Sequence, residues 1–190
     1  MHKQTLEALG LRTNADIPAT EIFAAAFNAA DYGLTEKEAS FIHCLKDFVQ
    51  EYNREIPMEE GRTITTSSEA ADLLYDTLRG LDHEEVWAVM LNRANRPVSR
   101  RMICLGSLDA SIIDHRKVIK FALEQNATGV ILFHNHPSGE PRPSLADVKE
   151  TEKLQKALNV FDMKLIDHIV ISDSKYYSFA EEKTLKIHRN

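Results

Sequence analysis

The sequence predicts an α/β protein: a mixed β-sheet flanked by helices, preceded by a small N-terminal helical segment. Three observations carry this. Short apolar runs of strand length, such as 86–91 and 129–134, alternate with stretches whose apolar residues recur at helical spacing. Two runs are joined by a polar turn at 92–96, which makes them an antiparallel hairpin, so the sheet is mixed. Helix-start signals stand before the helical stretches, where a Ser or Thr is followed three residues later by an acidic side chain.

Residues 1–61 read as the helical segment. The alanine-rich stretch 19–32 ends before Gly33, and Thr35 with Glu38 opens a second helix. There Phe41, Ile42, Leu45, Phe48, Val49 and Tyr52 recur at helical spacing, which predicts one buried stripe. Residues 53–65, with Pro57 and Gly61, keep no period and mark a boundary, so 62–190 is read as the second unit. Thr66 and Glu69 start a helix that stops near Gly80. The hairpin follows: 86–91, its turn, then 97–106. Asp114 caps a helix through Asn126 with Val118, Ile119, Ala122 and Leu123 inward. After the buried strand 129–134 and a loop rich in proline, Ser144 opens a helix to about Leu158, and 163–172 and 176–180 supply the last strands.

The composition, 43% hydrophobic and 27% charged over 190 residues, is that of one globular domain with a smaller appendage. No stretch approaches the roughly 20 apolar residues needed to span a bilayer, and no basic-then-apolar leader opens the chain, so a cytoplasmic protein without membrane contact is expected. Cys44 and Cys104 form no CxxC pair and are expected as buried, reduced thiols. Residues 1–61 hold 5 Lys and Arg against 11 Asp and Glu, and the rest of the chain 18 of each, so the net charge of −6 belongs to the N-terminal third. A nucleic-acid surface needs a basic footprint, and Arg93, Arg96, Arg100 and Arg101 around the hairpin are its one candidate. A solvated hairpin face also explains them.

The chemistry concentrates in HNHPSGEPRPSLAD, residues 134–147, at the end of a buried strand. Residues i and i+2 of an extended chain share a face, with α-carbons roughly 6.5 to 7 Å apart, so His134 and His136 can converge on one ion. Pro137 holds His136 out of the helical region. If Ser144 is an N-cap, Asp147 lies in the first helical turn, which the loop brings back toward the imidazoles. Two neutral imidazoles and one carboxylate leave a divalent cation with an open position, the pattern of a catalytic zinc. Taken singly these pieces are ordinary, a histidine pair, a helix cap and a turn; the combination points to a site. His168, within LIDHIVI, reads either as a fourth polar element or as a structural histidine.

This run is similar to the JAMM motif of the MPN/JAB metallopeptidase superfamily, His-x-His, a spacer, then Ser-x-x-Asp, and its wording is closer still to the bacterial RadC-like branch. The resemblance extends from about Thr63 to the end, through LIDHIVI and YYSFAEE. It implies a JAB/MPN, cytidine-deaminase-like core and a Zn2+ ion held by His134, His136 and Asp147. It further implies that Ser144 hydrogen-bonds the water or the developing oxyanion, and that a glutamate directly before an earlier apolar strand is the general base. Glu85 fits that place better than Glu84. The expected activity is hydrolysis of a peptide or isopeptide-type amide; the alternative is the DNA repair or nucleic-acid maintenance role associated with the RadC type. RadC-like proteins carry an N-terminal helix-hairpin-helix rich in glycine, whereas residues 1–60 here contain only Gly10 and Gly33 and are acidic, so that segment is not expected to bind DNA. Asn92 stands where the family commonly has Asp.

Overall fold

The computed structural model describes residue 22 and residues 28–55, 62–106 and 113–184. The strands are β1 (Glu85–Leu91), β2 (Pro97–Leu105), β3 (Gly129–Asn135), β4 (Lys164–Ile171) and β5 (Tyr176–Ser178). They form one sheet in the order β2-β1-β3-β4-β5. Only β3 and β4 are parallel; the other neighbours are antiparallel, so the sheet is mixed as expected. The parallel pair requires a crossover, which is α5 (Leu145–Asn159).

Alternation along the strands divides the core. Val86, Ala88, Met90, Val130, Leu132 and Val170 face the side covered by α4 (His115–Glu124) and α5, where Phe121, Leu154 and Leu158 meet them. Trp87, Val89, Leu91, Ile131, Phe133 and Ile169 face the side covered by α2 (Ser67–Asp72) and α3 (Tyr75–Leu78), with Leu74 and Leu78. Because the central strands are buried on both faces, they read in the sequence as continuous apolar runs, without alternation.

The local signals hold where capping sets them. Thr66 and Glu69 make a reciprocal capping box at the start of α2, and the Asp114 side chain accepts from Lys117 N at the start of α4. At the hairpin, Asn92 Oδ1 accepts from Ala94 N at 2.9 Å and Arg96 N at 3.1 Å. An aspartate would do the same, so the departure at Asn92 leaves the turn intact. Gly33, in the left-handed region at φ 69°, closes a 3-10 turn at Ala29–Tyr32. Apart from this turn and Ile22, which is helical and buried, the helix expected over 19–32 lies outside the described residues.

Three expectations are corrected. The helix expected from Thr66 to Gly80 is two short helices, because Leu74, at φ −134°, leaves the helical region with no glycine or proline to announce it. On α1 (Glu36–Glu55), which lies against α3, the stripe is not buried as a whole: Ile42 is covered, but Phe48 is 69% and Tyr52 58% exposed. Helical spacing identifies an apolar face; it does not supply the surface that covers it. Cys44, on the same helix, is exposed and Cys104 half-buried, so neither thiol is a core residue.

Candidate metal centre

β3 and α5 build the centre. His134 is the penultimate residue of β3, and His136 continues the same extended line because its N–H donates to Ile171 O at 2.8 Å, prolonging the pairing with β4. The chain then turns through Gly139, at φ 84°, whose N–H returns to His136 O. Ser144 caps α5 and Asp147 is the third residue of that helix; each reaches the other's backbone N–H, a capping box. The cap therefore orients the Asp147 carboxylate. Asp147 Oδ2 accepts from Ser144 N at 2.7 Å and Ser144 Oγ at 2.6 Å, leaving Oδ1 uncommitted toward the imidazoles.

The three side chains converge. His134 Nε2 and His136 Nε2 are 3.0 Å apart, and Asp147 Oδ1 and Oδ2 lie 3.7 and 3.8 Å from them respectively. A tetrahedral zinc with bonds of about 2.1 Å separates its ligand atoms by about 3.4 Å, so the spacing brackets what the ion requires. The hydrogens point the same way. His136 Nδ1 lies 2.8 Å from the Glu140 carbonyl oxygen, which can only accept, so Nδ1 carries the proton and a neutral ring presents a bare lone pair at Nε2. Burial holds His134 almost wholly neutral, its pKa brought down to about 4, with Asp147 partly opposing this and His136 adding to it. These are metal-ready donors, and the residues fit a divalent cation. No fourth His, Cys, Asp or Glu joins the three among the described residues.

His134 has a further partner, His168 of β4, whose Nε2 lies 2.8 Å from His134 Nδ1; His168 Nδ1 lies 2.6 Å from Thr151 Oγ1 on α5. His168 is fully buried and stacks on Phe179 with centroids 4.7 Å apart. Sequence reasoning left His168 between two roles and passed over Thr151. The available signal was spacing: Thr151 is one helical turn beyond Asp147, and His168 shares the period-2 face of Val170.

The glutamates stand differently. Glu85 is buried at the first position of β1; its Oε2 accepts from Trp87 Nε1 at 2.7 Å, and its Oε1 lies 3.0 Å from His83 Nε2. Trp87 packs on the α2/α3 side of the sheet, whereas His134 follows Leu132 on the α4/α5 side. Glu84 is half-buried against Gly106, and alternation sets it on the face of Val86, the residue paired with His134. A separate cavity of about 560 Å³, lined by Ile42, His43, Lys46 and Asp82 among others, includes none of the three converging residues.

Arg100 and Arg101 do not share one surface. Arg100 donates to Leu73 O at 3.4 Å, while Arg101 stacks over Phe121 at 4.1 Å and pairs with Glu124 at 3.0 Å. Leu73 packs with the core on one side of the sheet and Phe121 belongs to the other.

With this geometry in place, the comparisons are specific. Residues 64–184 match the family described as the RadC-like JAB domain. A UPF0758 protein of Flavobacterium johnsoniae is 42% identical over 121 residues, 64% of this chain and 53% of its own length. Another from Desulforudis audaxviator is 38% identical over 126 residues, 66% of this chain and 55% of its own. The UPF0758 protein YfjY of Escherichia coli is 38% identical over 127 residues, 67% of this chain and 79% of its own length. The chain thus spans about half the length of the first two relatives, and the five-stranded mixed sheet flanked by helices agrees with a JAB/MPN fold.

Proposed function

This chain belongs to the RadC-like JAB domain family, and from that premise we propose that it is a zinc-dependent hydrolase that cleaves a peptide or isopeptide-type amide. The observation that carries the reading is the convergence of His134, His136 and Asp147, with no fourth such residue joining them among the described residues. A zinc ion held there by His134, His136 and Asp147 would lower the pKa of water toward about 7 and polarise a substrate carbonyl. The chain's own residues do the rest. Ser144, whose hydroxyl donates to Asp147 Oδ2, must release that bond to turn toward the water or the oxyanion that develops on the carbonyl. A glutamate takes the water's proton and delivers it to the leaving amine.

Two carboxylates compete for that last role. Glu85 has the place in the sequence that the family pattern assigns; to serve, it must leave Trp87 and turn round the end of β1. Glu84 already lies on the imidazole side by strand alternation. The nucleic-acid reading rests on the hairpin arginines, and since Arg100 and Arg101 are held on opposite faces by the protein itself, the hydrolase reading is the better supported.

The test is turnover against a panel of peptides and ubiquitin-like conjugates, with chelated protein as control. Zinc-dependent cleavage that disappears in His136→Ala is the expected result. Absence of cleavage across the panel, together with salt-sensitive DNA binding abolished by reversing the charges at Arg100 and Arg101, would replace it with the nucleic-acid role.

A further inference from the structure

We propose that His168 and Thr151 are positioning residues that fix the ring tautomer of His134 and hold its Nε2 lone pair toward the cation. The proposal rests on the metal-centre reading above and adds to it how the ligand is prepared before any ion arrives.

The direction of every proton in the chain follows from one atom that can only accept. Thr151 Oγ1 lies 2.5 Å from the backbone carbonyl oxygen of Asp147, so the single hydroxyl hydrogen is donated there. Toward His168 Nδ1, at 2.6 Å, the same oxygen must then accept, which places a hydrogen on Nδ1. His168 has no exposed surface, and an imidazolium there would face the His134 imidazole with no carboxylate bonded to its ring. The neutral ring therefore has a bare Nε2. His134 Nδ1, 2.8 Å away, donates to it, and the lone pair of His134 is left at Nε2, the atom that faces His136 and Asp147. His136 Nδ1 likewise donates to an oxygen that can only accept, the Glu140 carbonyl.

The chain also spans the elements that make the site. Its carbonyl end belongs to Asp147 on α5, its middle to β4 and its ligand end to β3. The stacking of His168 on Phe179, at 14° between planes, fixes the ring about which both bonds are made. A side chain that only filled the space would pack as well and orient nothing. Outer hydrogen bonds of this kind are worth roughly 10- to 100-fold in metal affinity.

The full chain is tested in two ways. In the metal-free protein, nitrogen-15 shifts of the histidine rings, assigned by substitution, are expected to show His134 protonated at Nδ1. Zinc affinity, read by chelator competition, is expected to fall roughly 10- to 100-fold in His168→Leu and Thr151→Val. It should recover in Thr151→Ser, which restores the hydroxyl, and in part in His168→Gln, which restores an acceptor and a donor. Wild-type His134 protonated at Nε2, or a folded Thr151→Val protein with wild-type affinity, would overturn the proposal. If His168→Leu fails to fold, the threonine pair carries the comparison. A wild-type chain that binds no zinc yet shows the Nδ1 tautomer would refute the metal reading while leaving the relay standing, so the two failures are distinguishable.

Discussion

His134 and His168 show how burial prepares a side chain for chemistry. Water is withdrawn from both rings, so their charged forms are disfavoured and their pKa values lie below the ordinary 6.5. In the metal-free protein the unfolded chain therefore binds more protons than the folded one as the pH falls through 6.5. This contribution to stability is fully present above that pH and is lost as the pH falls toward the folded value of about 4 for His134. Urea denaturation of chelated protein at pH 7.5, 6 and 5 checks it, with the midpoint moving steadily down. The glutamates allow an equally direct comparison. Glu84→Gln and Glu85→Gln should both keep zinc, and the one that removes the base should lower kcat by roughly 10²- to 10⁴-fold. The convergence of His134, His136 and Asp147 was legible in the sequence because each part is local: an i, i+2 pair on a strand, a proline that keeps it extended, and a helix cap. The side of the sheet on which Glu85 lies was not, since it depends on which way Trp87 packs, a tertiary matter.

Asp167 illustrates the element scale. Its carboxylate accepts from Ser178 Oγ at 2.6 Å, His168 N at 2.7 Å and Ala180 N at 3.0 Å, and Ser178 in turn reaches Ser67 at the start of α2. One buried side chain thus ties β4 to β5 and both to the helix on that face. Asp167→Ala would leave several buried donors without an acceptor, and is expected to cost about 2 to 4 kcal/mol in urea unfolding. Because β4 also carries His168, the same variant should weaken zinc binding without touching a ligand. Helix boundaries set by caps, at Thr66, Asp114 and Ser144, could be read from the sequence, since the capping side chain and its N–H are three residues apart. The break at Leu74 and the exposure of Phe48 and Tyr52 could not, because no local residue announces either.

Across the whole molecule, β3 with the residue that follows it and α5 bring His134, His136 and Asp147 together at one end of a core that needs no metal to exist, for both faces of the central strands are already packed. Added zinc should therefore stabilise a folded chain by mass action, about 2.7 kcal/mol at a free concentration 100 times Kd, in contrast to a chain that folds only on loading. Circular dichroism of chelated protein should show native secondary structure. The α/β class and mixed sheet followed from the order of apolar runs and the hairpin, whereas the His168–Thr151 bond joins residues 17 apart in the chain and the His134–His168 bond residues 34 apart, so spacing can put each residue on a face of its own element but cannot pair it across elements. Among the described residues no helix is long and apolar enough to cross a membrane. The most direct measurement of the account is zinc content per chain by elemental analysis of wild-type and His136→Ala proteins, each loaded with zinc and desalted. One ion per wild-type chain and a large loss in the variant is the result predicted; equal content in the two, or none in the wild type, would contradict it.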